Sequence, residues 1–400
     1  MGGAPGTRSF LASLIACWLL AACGVGSAQP EQAPTTAVRI AAPTSTPTAP
    51  AGSGIPPSLD LPASFDDVDV TDIAAWINSE PLSISELARG GRVVLVDFWT
   101  YTCVNCLRTL PFLKVWHDRY ADAGLTIIGV HSPEFDFERN PDNVQAAVQR
   151  LGIAYPVAVD SDRATWQAFN NRFWPTKYLF DHTGRIVHRL FGEGGYAETE
   201  DAIRAALAAA GNDLALLPLG GSTEPELAAS AHTLTRELHA GYRLGYESTG
   251  LFVAQPAYYL APDSTVLYQD PGERFHNQFY LHGLWRNESE AIVHARTREE
   301  FDDYLALKFF ATTVNAVIDS RGSAPAVLVI ELDGHPLARD EAGQDISYDE
   351  LGRSVLLITE PRMYQLVRLP EFGPHELKLG FGGEEVAAHS FTFGNYVDGP

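Results

Sequence analysis

Val93-Val94-Leu95-Val96-Asp97-Phe98-Trp99 runs directly into Thr100-Tyr101-Thr102-Cys103-Val104-Asn105-Cys106. The first seven residues are almost continuously apolar and rich in valine, which suits a strand buried on both faces. Beyond the second cysteine, Leu110, Leu113, Trp116 and Tyr120 fall on roughly one side of a helix. Two cysteines three positions apart therefore stand where a buried strand gives way to a helix. At a helix start this spacing puts both sulfurs on one face, close enough to bond. The unpaired amides and partial positive charge of the helix amino terminus favour a thiolate on Cys103, while Cys106, one turn in, is shielded. An exposed attacker beside a neighbour that can release a mixed disulfide is what thiol–disulfide exchange requires.

The elements around this stretch alternate. Leu125 to Val130 reads as a second buried strand, and Tyr155 to Val159 as another. Asn140 and Pro141 are an N-cap and first-turn pair for a helix carrying Val144, Ala147, Val148 and Leu151 on one face. Lys177 to Phe180 and Arg185 to Leu190 form a hairpin across Thr183-Gly184, and Ile203, Ala206, Leu207 and Ala210 mark a last helix. Strands alternating with helices predict an α/β domain over residues 63–211.

DFW followed by CxxC resembles the thioredoxin superfamily position by position. Asp97, six residues before Cys103, stands where that family keeps a buried proton-accepting carboxylate, and Pro111 where it kinks the active-site helix. Trp174-Pro175-Thr176 resembles the family's cis-proline loop, which implies that Pro175 orients substrate, with Thr176 supporting it. Cys103 and Pro175 are 72 positions apart, and the extra helix and strand between 133 and 160 resemble the insertion of the TlpA/ResA-like group. More narrowly, FWTYTCVNCLRTLPFL and GVHSPEF resemble the extracytoplasmic thioredoxin domain of DipZ-type cytochrome c biogenesis proteins. Glu134, in the SPEF segment, resembles an acid that TlpA/ResA-like proteins place near the CxxC. Trp99 and Tyr101 flank the site as packing or substrate-groove residues. The dipeptide between the cysteines is Val-Asn, not Gly-Pro, so the family's redox potential does not transfer.

Other readings of the cysteines are weaker. Half a zinc site needs a second CxxC or a nearby Cys/His pair, and the twelve histidines are scattered, with no short-spaced ligand pair, so no metal ligands are expected. Haem attachment needs histidine where Leu107 stands. A structural disulfide across two residues constrains little. Thr100-Tyr101-Thr102-Cys103 fits the Thr-x-x-Cys of thiol peroxidases of the peroxiredoxin type. Those enzymes keep a proline where Val96 stands, and no proline occurs between 82 and 110. No cofactor is expected beyond the redox-active pair Cys103–Cys106.

Residues 212–239 read as a linker with a short helical patch near Pro225 to His239. Beyond it the hydrophobic period changes to two: Phe279, Leu281, Gly283 and Trp285 alternate with Tyr280, His282 and Arg286. Phe310, Val314, Ala316 and Ile318 share a face, as do Leu377, Leu379 and Phe381. Many short strands with polar turns predict an all-β sandwich over 240–400, similar to the jelly-roll, carbohydrate-binding-module-like domain that ends DipZ-type proteins. Tyr258, Tyr259, Trp285 and Tyr304 could stack on a glycan, which gives the second functional reading, a glycan-binding surface lipoprotein; the competing reading of these rings is core.

At the other end, Arg8 precedes the apolar run Phe10 to Leu20, about half the length of a membrane-spanning helix, followed by Leu20-Ala21-Ala22-Cys23. This resembles the bacterial lipobox and implies a signal peptide over 1–22 with lipidation at Cys23. Residues 23–62 are a Pro/Ala/Thr/Ser tether that cannot bury enough surface to offset its ordering entropy. It spans roughly 35 Å root-mean-square. The expected setting is extracytoplasmic, at the bacterial cell membrane. Fifty acidic and 28 basic residues give a net charge of −22, which excludes nucleic acid as a partner. The partners implied are disulfide-containing proteins and a separate membrane thiol reductase of the CcdA/DsbD kind. The uncharged neighbours of Cys103 give its thiolate little support, so the pair is expected to act as a reductant, with a potential on the order of −200 to −270 mV.

Overall fold

The structure, a computed structural model, describes residues 62–64, 66–220, 234–243, 251–322 and 325–396. The leader, Cys23 and nearly all of the tether lie outside the described residues, as does most of the helical patch expected before His239. The two folded halves belong to one compact unit.

The first half is a six-stranded sheet in the order β1–β4–β3–β2–β5–β6: Ala75–Ile77 (β1), Val93–Trp99 (β2), Leu125–His131 (β3), Val157–Val159 (β4), Thr176–Phe180 (β5) and Ile186–Phe191 (β6). β2 runs parallel to β3 and β3 to β4, while β5 lies antiparallel to β2. The helices are Ile84–Arg89 (α1), Val104–Tyr120 (α2), Pro141–Arg150 (α3), Ala164–Ala168 (α4) and Tyr196–Ala209 (α5). All seven residues of β2 are buried, as its unbroken apolar run requires. Val93, Leu95 and Trp99 join one core with α2, α3 and α5, and Val94, Val96 and Phe98 join the other with Ile84, Trp166 and Phe169. Asn140 caps α3 by accepting from the Asp142 amide at 3.0 Å, with Pro141 in the first turn. The alternation expected from sequence is thus present; β1, three residues long, is too short to show a period and has no counterpart among the expected strands.

The second half is all-β, one antiparallel sheet folded about a single core. Its strands are Leu238–His239 (β7), Thr265–Tyr268 (β8), Phe279–Asn287 (β9), Ile292–His294 (β10), Asp303–Ser320 (β11), Ala326–Leu332 (β12), His335–Pro336 (β13), Ile346–Tyr348 (β14), Ser354–Ile358 (β15), Arg362–Phe381 (β16) and Val386–Gly394 (β17). The long strand β11 stays beside β16 throughout but changes its other partner, pairing first with β9 and then with β17. The pairing β9–β10–β17–β11–β9 closes on itself, so the sheet wraps its own core.

The expected shared face of Phe310, Val314, Ala316 and Ile318 needs correction. A bulge between Ala311 and Thr313 inverts the alternation of β11. Before it Leu305, Leu307, Phe309 and Ala311 face the core; after it Val314, Ala316 and Ile318 do. Phe310 instead stacks on His276, ring centroids 4.3 Å apart. A period-two reading has no way to register one extra residue.

Candidate active site

Cys103 is the N-cap of α2, in extended backbone, and its Sγ accepts the Cys106 amide at 3.3 Å. The cap position that favours serine or aspartate is filled by sulfur, whose partial charge is matched to the helix terminus. Both cysteines are free thiols; Cys103 is partly exposed and Cys106 is buried. Burial, and then the neighbouring Cys103, push the Cys106 thiol well above its ordinary range. Cys106 therefore holds its proton while Cys103 faces solvent.

Asp97 lies on the α2 side of β2, buried, directly opposite Lys177 of β5 and Gly129 of β3. Burial pushes its carboxyl up to about 7, against the pull of the Lys177 ammonium. Asp97 in turn raises Cys106 and Tyr155, so these groups share one chamber. Gly129 makes the chamber possible: a Cβ there would meet Trp99 Nε1 and Tyr155 Cε2 at 3.0 Å. Asp97 Oδ1, Trp99 Nε1 and the Tyr155 hydroxyl are buried with no hydrogen-bond partner among the described residues. A carboxyl titrating near neutrality beside a buried thiol can accept that thiol's proton.

The loop before Cys103 is fixed by a residue that sequence reading passes over. Glu138, buried, accepts from the hydroxyls of Thr100 and Thr102, the latter at 2.6 Å, and from the amides of Glu134 and Phe135 at 2.7 and 3.0 Å. Its carboxylate ties the residues before Cys103 to the SPEF loop. Lys177 is also missed by pattern, although a lone charge in the apolar strand TKYLF is itself a signal, since a buried ammonium needs a counter-charge. Trp99 and Tyr101 are buried, which resolves them as packing residues; Tyr101 stacks on His131 at 5.3 Å.

Trp174–Pro175 is a cis peptide. Thr176 Oγ1 donates to the Phe173 carbonyl at 2.9 Å, and Trp174 Nε1 to that of Ser132 at 3.0 Å, which hold the loop in place. Phe173 is 45% exposed and offers an apolar surface next to Pro175. Glu134 meets the second half of the chain, close to Glu237 and His239. Burial and the nearby Glu237 push it up to about 8.

The β half reaches the cysteines themselves. Val104, between them, is buried in a cluster with Phe135, Val317 of β11 and Met363 of β16. Arg108, one turn along α2, grips Glu193 with Nε and Nη2 at 2.9–3.2 Å. Tyr396, just past β17, donates to the same Glu193 and lies under the Arg108 guanidinium, 4.4 Å from its ring centroid. In the β half, Tyr258 and Trp285 are fully buried in the core, and Tyr304 is stacked on His282 at 5.1 Å. Two of the four rings with the chemistry to stack on a glycan are therefore core.

A dithiol at a helix start, over a buried carboxyl and beside a cis-proline loop on this sheet, defines a thioredoxin-like thiol–disulfide oxidoreductase, and the chain belongs to that family. Residues 68–207 match the Redoxin family and residues 241–394 the "Thioredoxin like C-terminal domain" family. The thiol-disulfide oxidoreductase YkuV of Bacillus subtilis is 31% identical over 140 residues, 35% of this chain and 93% of YkuV. Protein DipZ of Mycobacterium tuberculosis is 32% identical over 308 residues, 74% of this chain; those residues span 41% of DipZ. A solution structure of a thioredoxin-like protein in the oxidized form is 31% identical, covers 34% of this chain and 90% of its own, and has a TM-score of 0.32.

Proposed function

We propose that this protein reduces disulfides in other proteins on the outer side of a bacterial membrane, to which a lipid on Cys23 holds it. The observation that carries the reading is the division of labour between a partly exposed Cys103 at the head of α2 and a buried, protonated Cys106. The Cys103 thiolate attacks a substrate disulfide, forming a Cys103–substrate bond and releasing one substrate thiolate, which takes a proton. Asp97 accepts the Cys106 proton, and the resulting thiolate attacks Cys103 Sγ. That step releases the second substrate thiolate, which takes up the proton Asp97 accepted, and leaves the Cys103–Cys106 disulfide. Two electrons pass to the substrate, and a membrane dithiol reductase returns two to the pair. Phe173, exposed beside the buried Pro175, offers the apolar surface on which a substrate strand lies, and the cis-proline turn sets its direction. The resemblance of FWTYTCVNCLRTLPFL and GVHSPEF to DipZ-type cytochrome c biogenesis proteins makes apocytochrome c the substrate class proposed.

The peroxidase reading loses ground because the Thr100 hydroxyl is engaged by Glu138. Insulin reduction by the purified chain, with equilibration against glutathione, tests the proposal. A potential between about −200 and −270 mV supports it, and one near about −120 mV reverses the direction of electron flow. Cys23→Ala is expected to leave the membrane fraction with its activity intact; a variant still membrane-bound after a salt wash overturns the anchor.

A further inference from the structure

Glu237 and His239 sit two residues apart on and beside β7, so their side chains leave the strand on one side. Glu134, from the loop after β3, meets them across the seam between the halves. One ligand-capable atom from each lies within 4.8 Å of the other two. Two carboxylates at that separation repel, and among the described residues the contact that answers them is His239 Nε2, 3.8 Å from Glu237 Oε2. Arg163 also acts on Glu134 through space, but its Nε and Nη2 both donate to the Pro133 carbonyl and its guanidinium lies over the Trp174 ring. His239 Nδ1 is buried without a hydrogen-bond partner among the described residues, which leaves Nε2 as the nitrogen facing the carboxylates.

We propose that Glu134, Glu237 and His239 form a divalent transition-metal site, with zinc as the best-fitting ion, that fastens the redox half to the β half. One imidazole with two carboxylates suits zinc, manganese or iron; calcium and magnesium prefer sets made wholly of oxygen. Three protein ligands with one face open to water is a common arrangement for zinc. Bonds of about 2.0–2.1 Å in a tetrahedron bring ligand atoms to roughly 3.3 Å from each other. Closure from 4.8 Å or less therefore needs only a shift of side chains, and Glu237, 45% exposed, is free to make it. Neither Cys103 nor Cys106 belongs to the cluster. It would act on them at a distance, because Glu138 ties the backbone of Glu134 to the loop before Cys103. Glu134 and Glu237 are 103 residues apart in sequence, so no spacing motif announces the set.

The test uses the full chain, oxidised so that Cys103 and Cys106 are bonded, alkylated to block any other thiol, and stripped with a chelator. Titration with zinc chloride in a calorimeter is expected to show one saturable equivalent at micromolar affinity or tighter, with a rise in unfolding temperature. Glu237→Gln and His239→Ala should each weaken binding by at least about tenfold, since even losing an outer partner of a metal ligand costs that much. Glu237→Gln sits at a half-exposed position and keeps the measurement clear of misfolding. Absence of a saturable equivalent, or equal affinity in both variants, overturns the site.

Discussion

Two buried aspartates, one in each half, are treated in opposite ways. Asp303 of β11 receives Arg296 Nε and Nη2 at 2.6 Å, the Leu284 amide at 3.1 Å and His294 Nε2 at 3.1 Å, and its carboxyl is pulled down to about 2. Room for it exists because Gly283, at φ +104°, has no Cβ to fill the space its carboxylate occupies. Asp97 has a cross-strand lysine but an oxygen with no donor, and burial pushes it up to about 7. A fully bonded carboxylate is a bolt, and its charge is fixed. A carboxyl denied donors has two protonation states of similar free energy, which is what a proton acceptor needs. The contrast separates the half that performs chemistry from the half that supports it.

The strongest way to break this contrast is to remove the chemistry. Cys103→Ser is expected to abolish insulin reduction, and Cys106→Ser to accumulate a mixed disulfide detectable by mass spectrometry; faster alkylation of Cys106 than of Cys103 would exchange their roles. Next in size is Asp97→Asn. Between pH 4 and 7 the native chain keeps a proton on Asp97 that the unfolded chain has lost, so wild-type stability falls across that window. Relative to the asparagine variant, the wild type should lose up to about 4 kcal/mol between pH 4 and 8 in denaturant titrations. The same variant should slow mixed-disulfide resolution and flatten its rise through pH 7.

Asp303→Asn sharpens the contrast with the opposite sign. Because the native carboxyl is depressed, its contribution is present above about pH 4 and disappears as the pH falls toward 2. The variant should cost about 2 kcal/mol at pH 7, a deficit that shrinks in acid, with reductase activity retained. The smallest effect concerns the seam. Glu193→Gln removes the carboxylate shared by Arg108 and Tyr396, and should cost about 1 kcal/mol while making Cys103 alkylate faster.

What the sequence makes legible depends on distance along the chain. The strand–CxxC–helix stretch, the Asn140–Pro141 cap and the α/β order follow from residues within a few positions of one another. Phe310 falls on the wrong face in a periodic reading because one bulge residue inverts every later position. Glu138 and Lys177 reach the site through partners 36 and 80 residues away, Thr102 and Asp97, and sequence patterns carry no such distances. The burial of Val104 under Val317 and Met363 has no local signature either.

That last contact has a consequence for how such a protein can diversify. The two residues between the cysteines are the obvious dial for tuning a dithiol's potential. Here one of the two is wedged beneath a neighbouring fold: a smaller residue at 104 opens a hole against β11 and β16, and a larger one pries the halves apart. The setting at that position is inherited together with the β half. Asn105, which meets Arg108 at 2.6 Å, is the side of the dial that can still turn.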